Sequence, residues 1–248
     1  NVIRIAYEEL EKSTGTHVKR KVKRGGGDDG DTNEIQTEEI TADPRYLRVD
    51  GRPLLLVYRA AALPDPRRTS AHIRREALRR GVGDPLLCRV ESDPWLERRL
   101  APAEIGFDAA VEFSPDWLDL DPVRGARHRT TPTGDRIYDY AGVVERSLAR
   151  AEPAYPTFRC LTPGWDNAPR RRTGAVILEG ATPAHYRRWL EGLISRAAAR
   201  PAGQQLIFIN AWNEWAEGAC LEPDAISGRG FLEATRDARA ASETRNGR

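Results

Sequence analysis

The chain has 248 residues, and its 39 Lys and Arg nearly balance 37 Asp and Glu, leaving a formal charge of +2. That balance argues against a nucleic-acid binder held by charge, and 40% apolar residues with six Trp argue against wholesale disorder. No run of 18 apolar residues occurs, so no membrane span is predicted. Taken in chain order, the first segment stands apart. All four Lys lie within the first 23 residues, and basic Lys19 to Arg24 passes through Gly25-Gly26-Gly27 into acidic Asp28, Asp29 and Asp31. Lacking apolar side chains, this stretch predicts a leader or gene-model artefact over residues 1–41 that does not order itself. The expected boundary is near Ala42, with the folded part over 42–248. The chain starts at Asn1 and contains no Met, which reads as a fragment. Cys88, Cys160 and Cys220 are odd in number and widely spaced. They suggest neither a disulfide scaffold nor a zinc module, and they fit a reducing, cytoplasmic compartment.

From Asp43 strands and helices alternate. Leu54-Leu55-Leu56-Val57-Tyr58 is an apolar run between Pro53 and Pro64 and predicts a buried parallel strand. Thr69 to Arg80 predicts a helix capped by Thr69 or Ser70 and ended by Gly81. Pro85 to Val90 and Ala109 to Phe113 are the next strands. Asp139 can cap a helix reaching Ala151, and Thr157 to Leu161 is the fourth strand. Thr182-Pro183 opens a helix to about Arg200 with Pro in its first turn. Leu206-Ile207-Phe208-Ile209-Asn210 is the clearest strand, and a last helix is expected from Phe231 to Ala241. This alternation predicts an α/β protein with a parallel sheet and right-handed crossovers. An open doubly wound sheet and a (β/α)8 TIM-barrel type both fit. A dinucleotide site would need a Gly-rich turn after a strand, and Gly25-Gly26-Gly27 follows none, so the barrel is favoured. About five strands against the eight of a full barrel predict an incomplete one, with N-terminal strands missing.

The chemistry collects behind the fifth strand. Asn213 to Pro223 holds Glu214, Glu217 and Glu222, with Trp212 and Trp215 alongside. Barrel enzymes carry their catalysts at this end of a strand. Glu214 and Glu217 stand three apart and share a face if the turn is helical. Two neighbouring carboxylates oppose joint ionisation, so one can stay protonated while the other is charged. Glycoside cleavage uses that division. Trp212 and Trp215 can wall the pair or stack on a sugar ring, and Asn213 can hold a hydroxyl. The plainer reading is a solvated Glu pair beside core Trp. Trp165, Asp166 and Asn167 follow the fourth strand and are candidates for the same pocket, as are Glu112 and Tyr58 at their strand ends. Arg170, Arg171 and Arg172 can meet an anionic donor but read better as a solvated charge run. His72, His128 and His185 never cluster, so no metal and no other cofactor is expected. Cys220 reads as a small buried residue.

Asn213-Glu214-Trp215-Ala216-Glu217-Gly218, continued by Leu221-Glu222-Pro223-Asp224, resembles the signature of WbsX-type, glycoside hydrolase family 99-like proteins. Asp43-Pro44-Arg45-Tyr46 with Val49-Asp50-Gly51-Arg52-Pro53, Gly106 to Phe113, and Pro163-Gly164-Trp165-Asp166-Asn167 are similar in the same order. The resemblance covers about residues 42–240, without the first 41. It implies a (β/α)8 barrel and, in family 99, retaining endo-cleavage of α-mannosides without a metal. It also implies that Glu214 takes the proton of the sugar 2-hydroxyl, that Glu217 is the acid and then the base, and that Glu222 holds substrate or orders the loop. WbsX-type members are commonly described as glycosyltransferases of O-antigen, lipopolysaccharide or other surface-polysaccharide assembly. A carbohydrate partner, nucleotide- or lipid-linked in the transfer reading, is therefore expected. The family's upstream Trp/Gly-rich strand and W-A-N-E-x-W segment do not occur here, so this chain alone is expected to be unstable or inactive. A non-catalytic glycan-binding module and an inactive remnant are the alternatives.

Overall fold

The structure is a computed structural model that describes residues 43–246; the leader expected over residues 1–41 lies outside them. Strand β1 (Arg48–Val49) folds back antiparallel on β2 (Arg52–Tyr58). The two-residue turn is Asp50-Gly51, both at positive φ, the turn whose twist suits a tight hairpin. Strands β3 (Leu86–Glu91) and β4 (Ala109–Glu112) follow, then β5 (His128–Thr130) and β6 (Arg136–Asp139). Next come β7 (Thr157–Leu161), β8 (Trp165–Asp166), β9 (Val176–Glu179) and β10 (Ile207–Ile209). Last are β11 (Asn213–Glu214) and β12 (Ala219–Cys220). The helices are α1 (Pro66–Arg79), the single turn α2 (Pro94–Glu97), α3 (Tyr140–Ala149), α4 (Pro183–Ala197) and α5 (Gly230–Asn246). No helix among the described residues is long and apolar enough to cross a membrane.

The main sheet decides between the two architectures open to the sequence. Its parallel strands stand in the order β2-β3-β4-β7-β10, without reversal. A doubly wound sheet reverses its order and carries helices on both faces, whereas a barrel wall winds one way. Here the helices share one face. Leu161, Ile207 and Ile209 pack with Val143 of α3, Trp189 and Leu193 of α4, and Phe231 of α5. Leu87 meets Ile73 of α1 on the same side. The other face holds a separate cluster of Leu54, Cys88, Val111, Phe158, Cys160 and Phe208. This is an α/β fold whose curled sheet forms an incomplete TIM barrel, and β10 has no second strand partner among the described residues.

The helix starts follow local chemistry. Asp139 and Thr182 cap α3 and α4, accepting from Gly142 N at 2.8 Å and His185 N at 3.2 Å. Helix α1 begins earlier than its sequence signals suggested. Asp65 is the cap, accepting from Arg68 N at 2.9 Å, with Pro66 in the first turn. Ser70 is instead buried, its hydroxyl donating to Ile105 O at 3.1 Å.

Glu112 does not reach the inner face, which corrects its expected role as a substrate contact. Strand alternation turns it with Glu91 and Arg159 toward the helices, while Val111 points inward. Its buried carboxylate receives Arg150 Nη2 at 2.7 Å and lies 3.2 Å from Arg159 Nε. Burial pushes the Glu112 carboxyl up, and the two guanidiniums pull it down. The charge chain continues through Asp116 and Asp119, which lie 2.6 and 3.0 Å from Arg150 Nη1.

A four-stranded sheet, in the order β5-β6-β9-β8, is absent from the expected elements. Its strands are two to four residues long, too short for a side-chain period to show. It is built from the connections leaving β4 and β7, so it stands at the carboxyl end of the barrel wall.

Candidate functional site

Beyond β10 the chain is tied down before it turns. Asn210 Nδ2 donates to Ser114 O at 2.5 Å, joining the loops after β10 and β4. The β11–β12 hairpin then carries the acidic motif. Its tip is a single 3-10 turn, Trp215–Glu217, rather than the helical turn the spacing allowed. Gly218 closes it at φ +62° against the 164–166 segment. A Cβ on Gly218 would stand 2.9 Å from Asp166 N. The left-handed conformation alone costs any side chain about 1–2 kcal/mol.

Both carboxylates meet on one cation. Arg170 donates from Nη2 to Glu214 Oε1 at 2.7 Å and from Nη1 to Glu217 Oε1 at 3.0 Å. Glu217 is the more enclosed, with 20% of its side chain exposed against 39% for Glu214. Partial burial chiefly raises the Glu217 carboxyl; the Glu214 charge raises it further, and Arg170 opposes both. By sequence Arg170 reads as part of a solvated charge run, and its partners lie 44 and 47 positions away, so no local pattern announces it.

Asp166 and Asn167 place that arginine. Asp166 Oδ1 accepts from Ala168 N at 2.9 Å, and Asn167 Oδ1 accepts from Val176 N at 2.8 Å. These bonds open the 3-10 turn Ala168–Arg170 that carries Arg170. Asn167 is buried, so in this arrangement it orders the loop instead of offering its amide to a sugar.

The aromatic candidates divide. Trp165 is buried and packs edge-to-face on Phe113 and Trp117, with centroids at 6.3 and 6.0 Å. Phe113 meets Tyr58 at 6.3 Å, and Tyr58 remains 59% exposed. The row Tyr58, Phe113, Trp165 and Trp117 thus crosses the carboxyl ends of the strands. Phe113 and Trp117 went unremarked as site residues in the sequence. Trp215 is half exposed and donates from Nε1 to Glu222 Oε2 at 3.1 Å, so Glu222 orders the hairpin loop. Trp212 packs against the helix-side core, and Asn213 pairs with Cys220 across the hairpin.

The chain is thus an incomplete TIM barrel that carries two carboxylates beyond the carboxyl end of β10. A solved glycoside hydrolase-like protein aligns with a TM-score of 0.51 at 14% identity, over 84% of this chain and 62% of that one. The GH99 endo-alpha-mannosidase from Bacteroides thetaiotaomicron aligns with a TM-score of 0.46 at 17% identity, over 88% of this chain and 64% of that one. The family model for glycosyltransferase WbsX matches residues 26–235, and the chain belongs to this carbohydrate-active family. The match begins upstream of the boundary expected near Ala42. Two strains of Xanthomonas campestris pv. campestris each have an uncharacterized protein WxcX that is 42% identical over 199 residues. That stretch covers 79% of this chain, which spans 28% of the length of these curated relatives.

Proposed function

We propose that the chain is part of a catalytic domain that works on glycosidic bonds with Glu214 and Glu217. The observation that carries this reading is the convergence of both carboxylates on Arg170 at the end where barrels hold their chemistry. The raised Glu217 carboxyl suits a proton donor. In the first step Glu214 accepts the proton of the sugar 2-hydroxyl. The freed oxygen bonds to the anomeric carbon as the bond to the leaving oxygen breaks, and Glu217 gives that oxygen its proton. In the second step Glu217, now a carboxylate, takes a proton from the acceptor hydroxyl. The acceptor oxygen bonds to the anomeric carbon, the three-membered ring opens, and Glu214 returns its proton to the 2-oxygen. The same steps serve water or a sugar hydroxyl as acceptor. The family's description as glycosyltransferases favours a sugar acceptor and an activated, nucleotide- or lipid-linked donor in surface-polysaccharide assembly.

The test is Glu214→Gln. It should keep saccharide affinity within a few-fold and lose turnover; unchanged turnover would remove Glu214 from the mechanism, and saccharide binding without turnover in the unaltered protein would leave a glycan-binding module.

Arg170 gives a second expectation. Its positive charge favours ionised Glu217, so Arg170→Gln should let Glu217 keep its proton to higher pH. The alkaline limb of the pH–rate profile then moves upward. A limb that stays in place or moves down, measured at saturating substrate, rejects Glu217 as the acid.

A further inference from the structure

A second concavity opens on the same end of the barrel, apart from the two carboxylates. It has a volume of about 360 Å³, near the lower end of the usual range for small-ligand pockets. Its walls come from the loop after β3, the loop after β4 and the small sheet.

Three features make it a built site rather than a gap. First, aromatic surface lines it from two sides. Trp95 is 53% exposed, and Trp117 is held in place by its Nε1 bond to Ser92 O at 3.1 Å and by its packing on Trp165. Second, Tyr138 lines the cavity, and its buried hydroxyl stands beside Arg136. Third, Arg136 and Arg171 line the cavity and neither makes an ion pair among the described residues. The two acids at the rim are already engaged. Asp93 Oδ1 accepts from Leu96 N at 3.2 Å, and Asp121 Oδ1 accepts from Val123 N at 2.9 Å. The lining thus carries two charges of each sign, and the two guanidiniums are the pair left without an ionic partner among the described residues.

We infer that this cavity is a binding site for an anionic saccharide, with the sugar ring against Trp95 and Trp117 and its phosphate or carboxylate on Arg136 and Arg171. Guanidinium forks match both oxyanions, and aromatic surface suits the apolar face of a pyranose. Arg171 follows directly on Arg170, which holds the two carboxylates, so one short loop borders both sites.

The test titrates the purified protein with glucose 1-phosphate, glucuronate and glucose, following Trp fluorescence and the heat of binding. At least one anionic sugar should bind ten-fold or more tightly than glucose, and the tighter of the two names the oxyanion. Arg136→Gln and Arg171→Gln should each weaken that binding about ten-fold, and both residues are exposed and unpaired, so the fold should tolerate the changes. Glu217→Gln should not weaken the binding, which separates this site from the proposed catalytic pair. Equal affinity for glucose, no binding of either anionic sugar, or indifference to both arginine changes would overturn the assignment.

Discussion

Glu217→Gln should lower turnover of a saccharide with a poor leaving group by about 10²- to 10⁴-fold, the usual contribution of a positioned general acid. Affinity for the saccharide should change little, because the amide keeps the size of the carboxyl and can still hydrogen-bond. The loss should shrink for an activated leaving group such as a nitrophenolate, which departs without a proton. Glu214→Gln should show no such recovery, since the 2-hydroxyl must lose its proton whatever leaves. Comparing the two variants on the two substrates therefore assigns the roles. An equal loss on both substrates for Glu217→Gln would take away its role as acid.

Glu112→Ala should destabilise the protein by up to about 3–5 kcal/mol, because Arg159 loses its nearer carboxylate while Arg150 keeps Asp116 and Asp119. Arg150 and Arg159 both face this carboxylate, at 2.7 and 3.2 Å, and neither can follow it into water without disturbing the sheet–helix interface. Glu112→Gln should cost less, because its amide oxygen still accepts from Arg150. The urea midpoint reports both values. A midpoint for Glu112→Ala within about 1 kcal/mol of the parent would show that the buried charge chain is relaxed by water or rearrangement. Saccharide affinity supplies an independent readout: Glu112→Gln should leave it unchanged, whereas a substrate contact would be weakened.

Much of the barrel wall was legible before any coordinates. The runs at Leu54–Tyr58 and Thr157–Leu161 are apolar, strand-length and bounded by turn residues, so local composition suffices to find them. Asp139 and Thr182 were legible as caps because a cap is a contact over three residues. The cap of α1 was misplaced because Thr69 and Ser70 are as good as Asp65 by residue type. What excludes Ser70 is its burial against Ile105, a contact across 35 positions.

The candidate site divides along the same line. The crowding of Glu214, Glu217 and Trp215 behind a strand is a one-dimensional pattern, and the hairpin keeps it together wherever the strand goes. Asp166 accepts from a backbone N–H two residues on, a turn that local sequence allows, whereas Asn167 accepts from Val176 N nine residues on, a contact only the fold sets.

The sequence by itself determined the succession of strands and helices, the acidic hairpin and the family, because these rest on contacts among near neighbours. Only the tertiary structure decided that Glu112 faces the helices, that Arg170 joins the two carboxylates, and that two tryptophans and two unpaired arginines border one cavity. Each of those depends on register between strands and on loops from distant parts of the chain, and side-chain alternation along one strand does not say which of its faces turns inward.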